Sequence, residues 1–137
     1  MEDSKPRLLV IDDELGMREG IRRIFRLEGY DVTVAENGGD GVAIGSEQEF
    51  DVALIDLKMP DMDGLTVLRR LRDRFPDTEY MIITAFAGID TAVEATKHGA
   101  YTYIPKPFTP DQIVFEVNRA LGKRRLTLET REPRAEQ

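Results

Sequence analysis

The chain has 137 residues, enough for one domain with a sizeable hydrophobic core. Hydrophobic residues make up 41% and charged residues 33% of the chain, the balance of an ordinary globular protein. The formal net charge of -7 argues against direct nucleic-acid binding by this segment, because such surfaces are positively charged. Cysteine is absent, which excludes disulfides, thiolate metal sites and cysteine nucleophiles.

Membrane insertion and export are not predicted. Residues 1–7 are polar and lack the apolar core of a signal peptide. No apolar run in the chain is long enough to cross a bilayer. We therefore expect a cytoplasmic protein without a membrane partner.

The first half of the chain predicts three strands that alternate with two helices. Arg7–Asp12 is a short apolar run with β-branched residues, typical of a strand buried on both faces. An amphipathic helix follows and stops at Gly29. Residues 32–35 predict a second strand, residues 38–45 a helix weakened by four glycines, and residues 51–56 a third strand.

The second half continues the same alternation. A loop and a helix over residues 65–75 lead to a fourth strand at residues 80–84. A fourth helix begins at Ile89 and is closed by Gly99, and residues 101–105 form the fifth strand. Such alternation predicts an α/β fold with a doubly wound parallel sheet, covered by helices on both faces.

The last helix carries a capping signature. Thr109 is its N-cap, Pro110 occupies its first position, and Gln112 can complete a capping box. Residues 121–137 are rich in charge and predict a helix that frays into a linker. The expected organisation is an N-terminal tail, a folded domain and a charged helical linker or tail, at residues 1–6, 7–122 and 123–137.

Chemically active side chains follow four of the five predicted strands. Ligands of open α/β sheets bind beyond the carboxyl ends of the strands. Those ends carry three aspartates, a hydroxyl and an ammonium group: Asp12, Asp13, Asp56, Thr84 and Lys106. Clustered carboxylates repel one another, and Mg²⁺, with Mn²⁺ as a possible substitute, is a cation that would hold them together. A carboxylate can also be the nucleophile in phosphoryl transfer, with metal and lysine offsetting the charge.

Four motifs at these strand ends resemble those of response-regulator receiver domains of two-component signalling. They are Ile11–Glu14, Asp56–Pro60 with Met62–Gly64, Ile83–Ala85, and Tyr103–Phe108. The resemblance covers residues 7 to 122 and implies a flavodoxin-like (βα)5 fold with strand order 2-1-3-4-5. The chain is most similar to receivers of nitrogen-regulation-type enhancer-binding transcriptional activators. It is either a piece of such a regulator or a freestanding one. Leu126 and Leu128 in the charged tail resemble the start of an interdomain helix and favour the piece.

The resemblance implies a metal-dependent phosphoacceptor. Asp56 would accept the phosphoryl group from a sensor histidine kinase. Asp13 and Asp56 would bind the metal directly, Asp12 mainly through water, and the backbone carbonyl of Lys58 would be the third protein ligand. The protein would not be an enzyme beyond self-phosphotransfer and autodephosphorylation.

The resemblance also implies how the phosphoryl group is bound and read. Thr84 and Lys106 would contact the phosphoryl group, and Tyr103 would move inward with Thr84 on activation. Family members commonly have a cis bond before the proline at the position of Pro107. We expect phosphorylation to promote a homodimer through the face of helix 4, strand 5 and helix 5, with helix 4 contributing Ile89, Ala92, Val93 and Ala95.

Two other functions compete with this interpretation. A phosphatase of the haloacid-dehalogenase type also uses an aspartate nucleophile, a lysine and Mg²⁺, but its nucleophile ends strand one in an Asp-x-Asp pattern. This chain has adjacent aspartates there and its best nucleophile on strand three. A pseudo-receiver that binds partners without taking phosphate is the other alternative, and the intact set of site residues argues against it.

Overall fold

The computed structural model describes residues 5–86 and 88–131. Five strands and five helices alternate along this part of the chain. The strands are β1 Arg7–Ile11, β2 Asp31–Ala35, β3 Val52–Asp56, β4 Glu79–Thr84 and β5 Thr102–Pro105. The helices are α1 Leu15–Leu27, α2 Gly38–Glu47, α3 Gly64–Arg74, α4 Ile89–Lys97 and α5 Pro110–Arg131. The predicted alternation is confirmed.

The five strands form one parallel sheet in the order β2-β1-β3-β4-β5. This confirms the predicted doubly wound sheet and its strand order. The order reverses between β1 and β3, which lie side by side in the middle of the sheet. All four carboxyl ends that carry candidate site residues therefore meet at one edge.

Two apolar clusters cover the two faces of the sheet. Successive side chains of a strand point to opposite faces, so β1 contributes to both clusters. Leu8 and Val10 pack with residues of α1 and α5, whereas Leu9 and Ile11 pack with residues of α3 and α4. This two-sided burial explains the continuous apolar runs of the central strands.

The glycines of α2 allow that helix to lie close against the sheet. A Cβ atom added at Gly41 would lie 2.5 Å from Ile11 Cδ1, and one at Gly45 would lie 2.8 Å from Leu71 Cδ2. Glycine lowers the intrinsic helix propensity here, as the sequence predicted. The structure adds the reason: the packing leaves no space for larger side chains at these positions.

Helix α5 begins with the predicted capping box and continues past residue 122. Thr109 Oγ1 accepts the Gln112 amide at 3.1 Å, and Gln112 Oε1 accepts the Thr109 amide at 2.9 Å. The helix is unbroken from Pro110 to Arg131. The proposed boundary between residues 122 and 123 therefore falls inside α5, and residues 132–137 lie outside the described part of the chain.

Beyond that boundary, Arg124 fastens α5 to the body of the domain. The Arg124 side chain is 9% exposed. Its Nε donates to Asp51 Oδ1 at 2.8 Å, and its Nη1 donates to Glu49 Oε2 at 3.1 Å and to the Asp77 carbonyl at 2.9 Å. The flanking Lys123 pairs with Glu79 at 2.8 Å. These acceptors lie around the amino ends of β3 and β4, opposite the candidate site.

We predict that Arg124→Ala destabilises the domain by roughly 2–4 kcal/mol, because it removes the buried cation that pairs with Asp51 and Glu49. The exposed neighbour Arg125 is the matched control. Arg125→Ala should change the free energy of unfolding by less than about 0.5 kcal/mol. Urea unfolding of both variants measures the difference, and equal stabilities would show that the Arg124 cluster does not hold the domain together.

Candidate functional site

Backbone hydrogen bonds continue past the ends of the strands and align the site residues. The Asp12 amide donates to the Ala35 carbonyl at 3.1 Å. The Leu57 amide donates to the Ile83 carbonyl at 2.9 Å, and the Lys106 amide to the Thr84 carbonyl at 2.8 Å. The side chains that follow β1, β3, β4 and β5 are therefore presented by paired backbone rather than by free loops.

Three carboxylates converge at this edge of the sheet. Asp12, Asp13 and Asp56 each offer an oxygen, and these oxygens lie within 4.8 Å of one another. Asp12 is fully buried, Asp56 is 6% exposed, and Asp13 faces solvent. Hard oxygen donors around one point, open to water on one side, suit a cation such as Mg²⁺ that keeps several waters. The acidic cluster could thus bind a metal ion.

Lys106 bridges the two buried carboxylates. Its Nζ lies 3.4 Å from Asp12 Oδ2 and 3.4 Å from Asp56 Oδ1. The peptide bond between Lys106 and Pro107 is cis. The ammonium group offsets part of the negative charge that the cluster concentrates, and it lies where a group bound to Asp56 would meet it.

The Asp56 carboxyl titrates well above its ordinary range. Burial, and after it the nearby Asp12 carboxylate, raise the pKa of Asp56 from 3.8 to about 6, although Lys106 acts in the opposite direction. The neighbouring Asp12 carboxylate accepts the Glu14 amide through Oδ1 at 2.9 Å. The charged form of Asp56 is therefore costly until another cation enters the cluster.

Thr84 lies at the same edge and is fully buried. Its Oγ1 accepts the Phe86 amide at 2.8 Å. A hydroxyl that accepts one hydrogen bond can still donate its own proton to another acceptor. Tyr103 lies on β5 opposite Ile82 of β4, half-buried at the edge of the second apolar cluster. Strand β4 separates it from β3, which carries Asp56.

The Lys58 side chain is directed toward Phe86. Its Nζ lies 4.9 Å from the centroid of the Phe86 ring, a cation–π distance. Both residues line a groove of about 450 Å³ between the loop after β3 and α4.

Two supporting contacts were missed by the sequence interpretation. Arg18 Nη1 donates to the Asp12 carbonyl at 2.9 Å. Asp61 accepts the amides of Gly38 and Gly39. The sequence offers only a weak signal for the Asp61 contact. It shows an acidic residue in a loop and, elsewhere, a helix start whose backbone amides need acceptors.

The family model described as response regulator receiver domain matches residues 8–118. Regulatory protein AtoC of Escherichia coli K12 is 36% identical over 125 residues, which are 91% of this chain and 27% of AtoC. The DNA-binding transcriptional regulator NtrC of Salmonella typhimurium is 38% identical over 113 residues, 82% of this chain and 24% of NtrC. The chain spans about a quarter of the length of these curated relatives.

Solved structures agree with this assignment. A CheY-like receiver domain protein from Methanospirillum hungatei JF-1 has a TM-score of 0.87 at 29% identity, covering 90% of this chain and 99% of that one. NtrX from Brucella abortus has a TM-score of 0.86 at 28% identity, covering 93% of this chain and 29% of that one. The phosphatase alternative is thereby set aside. The chain belongs to the response regulator receiver domain family, a signalling family of two-component systems.

Proposed function

We propose that this receiver accepts a phosphoryl group on Asp56 from a sensor histidine kinase, and that the reaction depends on Mg²⁺. The observation that carries the proposal is the position of the Asp56 carboxylate. It ends a central strand, shares a cluster with Asp12 and Asp13, and lies 3.4 Å from the Lys106 ammonium group. These are the charges that phosphoryl transfer to a carboxylate requires.

In the proposed reaction an Asp56 carboxylate oxygen attacks phosphorus, and the bond between phosphorus and the kinase's histidine nitrogen breaks. The product is an aspartyl phosphate on Asp56. Lys106 and the Thr84 hydroxyl stabilise the charge on the phosphoryl oxygens. The Asp12 carboxylate keeps Lys106 oriented toward Asp56, since both carboxylates contact the same ammonium group.

Mg²⁺ would be held by Asp13, Asp56 and the Lys58 carbonyl, with Asp12 acting through water. When bound, the ion supplies positive charge against the carboxylates and the incoming phosphoryl group. Mn²⁺ prefers similar ligands and could replace it. The donor set fits this role, because the three carboxylates lie together and Asp13 leaves the cluster open to solvent.

We further propose that this receiver controls a separate output, such as transcription. Two observations support a regulatory rather than a metabolic role: NtrC is a DNA-binding transcriptional regulator, and this chain corresponds to about a quarter of it. The described residues include no helix suited to crossing a bilayer. A cytoplasmic location, with autodephosphorylation as the only other reaction of the domain, completes the proposal.

The proposed switch couples Asp56 to the face formed by α4, β5 and α5. A phosphoryl group would draw the Thr84 hydroxyl toward Asp56 and allow Tyr103 to move inward. The exposed apolar side chains at α4 are Ile89 and Val93, of which Ile89 is 83% exposed.

The expectation that Ala95 also lies on the outer face is wrong. Ala95 is buried, because it faces the sheet and packs in the second apolar cluster.

Phosphorylation is tested by intact-mass measurement after incubation with acetyl phosphate and Mg²⁺. The wild-type protein should gain one phosphoryl group, and Asp56→Asn should gain none because it lacks the nucleophile. Asp73→Asn, which changes an exposed aspartate of α3, is the control and should be labelled normally. Labelling of Asp56→Asn would move the acceptor elsewhere, and an unlabelled wild type would favour the pseudo-receiver.

The raised pKa of Asp56 predicts a pH-dependent cost to folding. Between pH 4 and 6 the folded state holds a proton that the unfolded state has released, so stability from this group falls as pH rises. Without metal at pH 7.5, Asp56→Asn should therefore be more stable than wild type by roughly 1–2 kcal/mol. This difference in stability between Asp56→Asn and wild type should disappear toward pH 4. At pH 7.5, Mg²⁺ should reduce the difference. Thermal unfolding of both proteins, with EDTA or with Mg²⁺, measures this difference in stability. A difference that does not change with pH would contradict this account.

Self-association tests the coupling. Beryllofluoride, a phosphoryl mimic, should raise the sedimentation coefficient of wild type by promoting contact through the α4 face. Thr84→Ala should still be phosphorylated but should respond weakly, because it lacks the hydroxyl. Thr84→Ser, which keeps the hydroxyl, should respond like wild type. An unchanged sedimentation coefficient for wild type, or a full response of Thr84→Ala, would exclude this coupling.

A further inference from the structure

The loop between β3 and α3, residues 57–63, begins and ends beside the candidate site. Its base is closed by the Gly64 amide, which donates to the Leu57 carbonyl at 2.8 Å. An added Cβ at Gly64 would collide with the Asp56 carbonyl oxygen, so the returning chain passes directly against the strand end. Asp63 then caps α3 by accepting the Leu65 amide at 2.8 Å. The two ends of the loop are thereby fixed at the site.

The tip of the loop is fixed separately, by Asp61. Its Oδ1 accepts the Gly38 amide at 3.0 Å, and its Oδ2 accepts the Gly39 amide at 2.8 Å. These donors belong to the amino end of α2, where backbone amides have no partner within the helix. The two hydrogen bonds lower the pKa of Asp61, so the carboxylate is charged at neutral pH. We call this pair of hydrogen bonds the Asp61 latch.

Close packing accompanies the latch. A Cβ added at Gly38 would lie 2.7 Å from Met62 Cβ and 3.3 Å from Val67 Cγ2. The loop and the start of α2 are thus in contact through backbone and side chain together. Met59 and Met62 also pack against the second apolar cluster. Three segments of the chain, α2, the loop and α3, meet at this point.

We propose that Asp61 is a positioning residue for Mg²⁺ binding, acting through Lys58. The inference rests on the proposed function, in which the Lys58 carbonyl is a metal ligand. Lys58 lies in the same loop, between its closed base and the latched tip. A free tip would let the loop sample many backbone conformations, and metal binding would then have to order it at a cost in affinity. The latch orders the loop before the metal arrives.

The direct test is a calorimetric Mg²⁺ titration of the intact chain and four variants. Asp61→Ala should weaken Mg²⁺ binding roughly tenfold, as expected for a group that orients a metal ligand without touching the ion. Asp61→Asn keeps one acceptor oxygen and should lose less affinity. Asp73→Ala removes the same charge from an exposed position of α3 and should bind like wild type. Asp13→Asn removes a proposed ligand and should bind weakest.

Two further measurements separate positioning from general destabilisation. With acetyl phosphate, Asp61→Ala should need more Mg²⁺ for half-maximal labelling but should reach the wild-type rate, within about twofold, at saturating Mg²⁺. Hydrogen exchange should be faster at the Gly38 and Gly39 amides of this variant, which reports loss of the latch itself.

The outcomes distinguish the inference from the function on which it rests. If Asp13→Asn loses Mg²⁺ affinity and Asp61→Ala does not, the positioning role is overturned and the metal site stands. If neither variant loses affinity, the proposed metal site falls as well. If Asp61→Ala loses affinity and maximal labelling rate together, and Asp61→Asn restores neither, the effect is structural and the positioning role is again overturned.

Discussion

The repulsion among three carboxylates is the constraint on which the rest of this structure depends. Asp12, Asp13 and Asp56 meet at one edge of the sheet, and two of them are buried. One ammonium group, that of Lys106, contacts the buried pair at 3.4 Å. A protein that needed only stability would not concentrate charge in this way. The excess negative charge attracts cations to this edge of the sheet. The same charge lowers the stability of the folded state, so the feature that serves function also costs stability.

The scaffold supplies the rigidity that such a cluster requires. Strands β1 and β3, which carry the aspartates, lie at the centre of the sheet with apolar clusters on both faces. Charged groups that repel one another would separate if their backbones could yield. Backbone pairing extends past the ends of the strands, to Asp12, Leu57 and Lys106, and prevents this. Core packing thus sustains an arrangement of charges that is unfavourable by itself.

The sequence predicts which side chains meet at this edge of the sheet, because the signals are local. A run of apolar residues predicts a buried strand, and the residues at the end of that run lie at the edge of the sheet. This rule places Asp12, Asp56, Thr84 and Lys106 together. Contacts between distant segments leave no local signal. Asp61 meets Gly38 across 23 positions, and Arg124 meets Asp51 across 73. Helical spacing alone also did not show which side of α4 is buried, and Ala95 was placed on the wrong one.

The continuity of α5 has a mechanical consequence. The helix starts a few residues after Lys106 and crosses the domain to its opposite end, where Arg124 is bound by three acceptors. Ile113 and Val117, in the first half of the helix, are buried in the core. The helix is therefore held along its length, and Arg124 is a second attachment about 21 Å from Pro110 at 1.5 Å per residue. The last stretch, from Arg124 to Arg131, extends about 10 Å beyond that attachment and continues the direction that the core and Arg124 impose.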